Sequence, residues 1–165
     1  MRSARGYTLI EVLITLGLIG IVSAISVPVF MESNARSNLW SGAEQIGAAI
    51  RQARLRAIST NTSFRVAFNC PGANELRTLI MTGDPVIDDD AGRCTDSLEG
   101  DSGVIDLPTG VGYDVEDTTS LQVTGRGVFT ANGGAIPLVV TVTHGGSTRT
   151  LTISGTGQIT FSDVN

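Results

Sequence analysis

The sequence predicts an α+β fold in which one long N-terminal helix is laid against an antiparallel β-sheet head. Two observations carry this. The first sixty residues follow a helical pattern, apolar on all sides at first and striped afterwards. Beyond Asn61 the apolar residues alternate with period two, and glycine-rich turns punctuate them at short intervals.

The chain has 165 residues, 41% hydrophobic and 16% charged, which suits one domain with an appendage. Every basic residue is Arg. From Ser59 onward five Arg face thirteen Asp or Glu. That acidic field repels phosphate backbones and acidic membranes unless the arginines cluster. Cys70 and Cys94 suit a single disulfide in an oxidising compartment.

From Val12 to Met31 no residue is charged, a span that matches one helical bilayer crossing. Arg2 and Arg5 precede it and the next basic residue is Arg36, so the positive-inside rule puts the N-terminus in the cytoplasm. A secretory signal peptide with Ala24-Ile25-Ser26 as its cleavage site is one reading, and a plain anchor is another. Neither gives a role to Glu11. A carboxylate at the head of an apolar helix costs a few kcal/mol on insertion scales and marks a functional position. Gly17 and Gly20 allow close helix approach, and Pro28 removes a backbone hydrogen bond and predicts a kink.

Past Glu32 the helix becomes amphipathic, with Leu39, Ala43, Ile46, Ile50, Ala53 and Ala57 forming one stripe. Arg51, Arg54 and Arg56 fall near its end, where cations match the helix dipole, and Asn61 is the expected stop. Trp40 lies beside Leu39 and is expected to pack on the sheet or on a neighbouring subunit.

Strands are then predicted at 63–69, 76–82, 103–107, 113–116, 121–123, 128–131, 138–143, 150–154 and 158–162. Asn132-Gly133-Gly134, His144-Gly145-Gly146 and Gly155-Thr156-Gly157 are turn signals, and the last three strands read as a meander. Between the cysteines, Asp84, Asp88, Asp89 and Asp90 crowd together. Their spacing is not that of an EF-hand, so a solvated loop pinned by Cys70–Cys94 competes with a calcium site. His144 is the only histidine, and no nucleophile elbow, zinc motif or phosphate loop is present. No enzyme and no cofactor is expected.

The N-terminus resembles a class III signal of type IV prepilins and type II secretion pseudopilins: a short basic leader ending in Gly6, then Tyr7-Thr8-Leu9-Ile10-Glu11 and an apolar helix. The resemblance implies that a prepilin peptidase cuts after Gly6 and that the new terminus at Tyr7 is methylated. Glu11 would then neutralise the terminal amine of a neighbouring subunit, since an unpaired buried charge is strongly disfavoured and a paired one tolerable. Tyr7 stands where most members have Phe.

"IGAAIRQARLRAISTNTSFRVAFN" resembles the opening of the GspH/FimT domain of minor pilins and pseudopilins, with Ala53, Arg54, Ala57 and Ile58 leading into a first strand at Phe64–Phe68. "RTLTISGTGQITF" resembles that family's last two strands. A Trp-containing segment after the first strand is absent. So is an Arg-rich C-terminal element of DNA-binding members: nothing basic follows Arg149, and Asp163 is acidic.

The resemblance implies a pilin fold divided into a leader at 1–6, a transmembrane and assembly helix at 7–31, its amphipathic continuation at 32–60, and a β-rich head at 61–165. It implies a minor subunit of a type IV pilus or a type II secretion pseudopilus, with other pilins, the peptidase, an assembly ATPase and an inner-membrane platform as partners. The chain would start in the inner membrane and end in a periplasmic or extracellular filament. A DNA-binding or adhesive tip pilin, and a membrane-anchored secreted binding domain, are the alternatives. Some pseudopilins carry calcium, which keeps the aspartate cluster as a candidate.

Overall fold

The computed structural model describes residues 7–115, 120–132 and 134–164. The expected leader at 1–6, Gly6 included, lies outside them. Two compact units emerge, one ending at Arg36 and one beginning at Ser37.

Helix α1 runs from Leu9 to Thr60 without interruption, with Pro28 inside it. In the first unit every residue from Tyr7 to Asn34 is exposed. The long uncharged run gives the helix no inward face to bury, and it is long and apolar enough to cross a membrane. In the second unit the predicted stripe is the buried face: Leu39, Ala43, Ile46, Ile50, Ala53 and Ala57 all enter the core. The three alanines let the helix axis come close to the sheets. The helix stops where the sequence indicated. Asn61 takes φ +52°, and the Thr62 N–H donates to the Ala57 carbonyl at 3.2 Å, a Schellman closure.

All nine predicted strands form, with ends shifted by at most three residues and all pairings antiparallel. They divide into two sheets. Strands β1 (Phe64–Phe68), β2 (Glu75–Ile80), β3 (Ile105–Asp106), β5 (Ser120–Val123) and β6 (Phe129–Asn132) form the first, in the order β3-β2-β1-β5-β6. The predicted meander of β7 (Leu138–His144), β8 (Ser147–Ile153) and β9 (Ile159–Val164) forms the second, with β4 (Gly112–Val115) on its edge. Phe64, Val66, Leu121 and Val123 of the first sheet and Val140, Val142, Leu151 and Ile153 of the second meet the helix in one core.

The arginines near the helix end do not serve its dipole. None lies in the last turn. Arg54 donates to the Gly127 carbonyl at 3.2 Å. Arg56 donates to the Gly100 carbonyl at 2.8 Å and stacks over Phe64. They fasten two loops to the helix, which their sequence position could not reveal.

Candidate functional site

The first candidate position is the helix start. Thr8 precedes Leu9 as its N-cap, its Oγ1 accepting the Glu11 N–H at 3.3 Å while its carbonyl accepts the Glu11 and Val12 N–H groups. Thr8 and Glu11 therefore occupy the first and fourth positions of a T-x-x-E capping sequence. This local role of Glu11 adds to the intersubunit pairing that the prepilin resemblance implies for it. At the third helical position a carboxylate also meets the positive end of the helix dipole. Around it Leu9, Ile10, Val12 and Leu13 are exposed, so Glu11 is the one charged group on a mostly apolar stretch of exposed helix, with Thr8 and Thr15 beside it.

The second candidate is the loop between the cysteines. Cys70 and Cys94 are joined, their Cα atoms 5.2 Å apart. The enclosed segment is more ordered than a solvated loop: it holds the short helix α2 (Pro85–Asp88) and a 3-10 turn (Ala91–Cys94). Each aspartate has its own task. Asp84 caps α2 through the Val86 N–H, and Asp90 caps the turn through the Gly92 N–H. Asp89 pairs with Arg65 at 2.9 Å. Asp88 is buried, accepting from the Thr82 N–H and hydroxyl and from the Gly83 N–H, each at 2.9 Å. Burial works against its charge, but those donors and Arg65 outweigh it and hold the carboxyl below its ordinary value. Among the described residues no group of three or more His, Cys, Asp or Glu is placed to hold a metal ion. The four neighbours in sequence point to separate partners.

A buried bidentate pair closes the same loop. Arg93 donates to both Asp101 oxygens at 2.6 and 2.9 Å, and to the Ile80 and Asp96 carbonyls. Hydrogen bonding to Asp101 raises Arg93. On Asp101, burial is outweighed by Arg93 and by the Ile80 and Leu98 N–H groups, so its carboxyl is lowered. Arg77 is also buried, donating to the Ser102 and Cys94 carbonyls. Arg149 is sandwiched between Trp40 and Phe161, 3.6 and 4.9 Å from the ring centroids, with Asp163 3.2 Å away. Trp40 thus meets the second sheet through a cation. Among the described residues, Arg126 alone of the isolated head arginines is exposed and makes no contact of this kind. His144 sits at the β7–β8 turn against Gly110.

Comparison with known families decides what this arrangement belongs to. Residues 42–157 match the family described as type II transport protein GspH. The chain belongs to that family. Residues 1–27 match the prokaryotic N-terminal methylation motif, so the GspH domain follows a prepilin-type N-terminus. No curated protein sequence matches the chain. Solved structures of a minor pilin and of a minor pseudopilin share the fold of this GspH-family chain. The type IV minor pilin FimU of Pseudomonas aeruginosa is 18% identical, at a TM-score of 0.56 over 77% of this chain and 90% of its own. The minor pseudopilin EpsH of the Vibrio cholerae type 2 secretion system is 16% identical, at 0.51 over 73% and 93%. The predicted pilin fold is thereby the observed one.

Proposed function

We propose that this chain is a minor pilin or pseudopilin subunit that is cut after Gly6, methylated at Tyr7 and assembled into a filament through α1. The single observation that carries the reading is Glu11: an acidic group in the first turn of a helix that buries nothing in its own chain from Tyr7 to Asn34. A surface of that size needs lipid or other helices. Cleavage would place an amine about one turn from the carboxylate, and pairing with a neighbour's amine would fix the axial register of packed helices. Pro28 would let the helix bend where it leaves the bilayer. The N-terminus would face the cytoplasm, where the peptidase, platform and ATPase act, and the head would cross into the periplasm or beyond. The Cys70–Cys94 bridge fits that compartment.

A DNA-binding tip would need clustered exposed cations. Here the head arginines other than Arg126 are engaged with carbonyls, carboxylates or rings. A secreted binding domain on a simple anchor would leave Glu11 only its place in the helix cap, against the cost of a carboxylate at the head of an apolar run. Mass spectrometry on sheared filaments and on the envelope tests the reading. A methylated peptide beginning at Tyr7 is expected, in the filament for a pilus or confined to the envelope for a pseudopilus. An intact Met1 terminus in both fractions would overturn it, as would unaltered assembly of a Glu11→Ala chain.

A further inference from the structure

We propose that the head binds one neutral sugar unit in a hollow between the disulfide-pinned loop and the outer face of the first sheet. The proposal goes beyond assembly through α1 and does not depend on it. The hollow measures about 370 Å³, toward the lower end of the range for small-molecule sites, about 300–1,000 Å³. Its floor is apolar: Ala67, Leu79 and Cys94 line it, and with Cys70 they form a cluster of their own, apart from the main core. Of the lining residues Asp89, Asp90 and Asn132 are exposed, so the hollow opens to solvent between the loop and β6.

Two guanidinium groups in the wall have a donor to spare. Arg65 donates through its terminal nitrogens to the Asp88 carbonyl and to Asp89. Arg93, only 6% exposed, donates through its own to Asp101 and to the Ile80 and Asp96 carbonyls. The Nε of each is buried and has no hydrogen-bond partner among the described residues. A buried donor left unmade carries its full desolvation penalty, and in a native fold it calls for an explanation. Both of these belong to residues that line one hollow. Acceptor atoms brought by a guest account for both.

The carboxylates decide the class of guest. Asp88 is taken up by Thr82 and Gly83, and Asp89 by Arg65. Asp90 accepts the Gly92 N–H through Oδ1 and forms no ion pair among the described residues. Three carboxylates against two guanidinium groups disfavour an anion. A cation would meet both guanidinium groups and a single unpaired carboxylate. A neutral guest that both accepts and donates suits the whole wall. A pyranose offers adjacent hydroxyls of that kind beside a face of C–H groups, which matches the arginines, Asp90 and the apolar floor together.

The test is saturation-transfer NMR on the full chain, kept in a detergent without a sugar head group. The probes are the methyl glycosides of glucose, galactose, mannose and N-acetylglucosamine, with acetate, guanidinium and N-acetylglycine methylamide alongside. Transfer to at least one glycoside is expected, and none to the other three. Ala67→Leu fills the floor and should abolish it. Asp90→Asn keeps an oxygen for the Gly92 N–H but removes the charged acceptor, and should weaken binding about tenfold. Should Ala67→Leu fail to melt cooperatively, Asp90→Asn decides. Silence from all four glycosides, or a glycoside signal that survives in both variants, would overturn the proposal. So would a signal from acetate, guanidinium or the amide that disappears with Ala67→Leu. None of these outcomes bears on the filament reading, which the terminus at Tyr7 tests separately.

Discussion

Arg93 and Asp101 face each other through two charge-assisted hydrogen bonds, of 2.6 and 2.9 Å, with side chains only 6% and 1% exposed. Their remaining polar atoms bind the backbone on both sides of the loop, at Ile80, Asp96 and Leu98. Removing one partner strands the other charge in a dry site, which costs about 3–5 kcal/mol. Asp101→Ala should lower the unfolding free energy of the full chain in detergent by that amount, read from the fall in its urea midpoint. The Arg93→Met, Asp101→Leu double variant should recover much of the loss. A double variant no better than the single would show that the pair's geometry, not its uncompensated charge, holds the loop.

The same carboxylates set an acid limit. Asp88 and Asp101 are both lowered in the folded state by the donors around them. A depressed carboxyl stabilises the fold fully above its unfolded value, near pH 4, and that contribution fades as pH falls through the folded values. Stability should therefore be level from pH 6 to about 4 and fall below it. In Asp88→Asn, Asp101→Asn chains, weaker at neutral pH, the acid slope should be shallower; urea midpoints at pH 6, 4 and 3 measure both.

Tyr113 ties the two sheets together. Its hydroxyl accepts from the Asn69 N–H and donates to the Glu75 carbonyl, both at 2.7 Å, so a strand of the second sheet is bonded to the residue that follows β1 and to the first residue of β2. Tyr113→Phe leaves both backbone groups without that partner and should cost about 1–3 kcal/mol. Burial raises the Tyr113 hydroxyl above its ordinary value, against the Asn69 bond and with help from the Glu75 charge. Its neutral-state contribution is present below the unfolded value, near pH 10, and fades as pH rises above it. The phenylalanine variant should lose that alkaline sensitivity in thermal unfolding from pH 8 to 11.

These cases show where the sequence was legible. The stripe from Leu39 to Ala57 and the nine strands follow from local periodicity, and Asn61 ends the helix through its own backbone. The division into two sheets was not legible, because the placement of β4 beside β7 depends on a partner some twenty-five residues away. The fate of the charges was not legible either. Nothing near Arg77 in sequence announces the Cys94 carbonyl, and nothing near Arg149 announces Trp40. Asp84 to Asp90 looked like one cluster because they are neighbours in the chain, yet two cap turns, one is buried and one is paired. At the N-terminus the reverse held: the Thr8–Glu11 cap is local and could have been read directly.

Two helix glycines separate packing from propensity. An Ala Cβ at Gly42 would lie 2.7 Å from Cγ1 of Val111, a buried β-branched side chain with little freedom to turn away. At Gly47 the nearest atom is Cζ of Phe161, at 3.1 Å, on a half-buried ring near the sheet edge that has room to give. Both substitutions gain roughly 1 kcal/mol of intrinsic helix preference. At Gly42 the overpacking outweighs the gain, and Gly42→Ala should be destabilising by about 1–2 kcal/mol net. At Gly47 a shift of a few tenths of an ångström suffices, and Gly47→Ala should stabilise by about 0.5 kcal/mol. Thermal melts of the two variants should move in opposite directions. Equal losses at both positions would mean that the helix seats on β9 as tightly as on Val111, and that Phe161 is part of the rigid core.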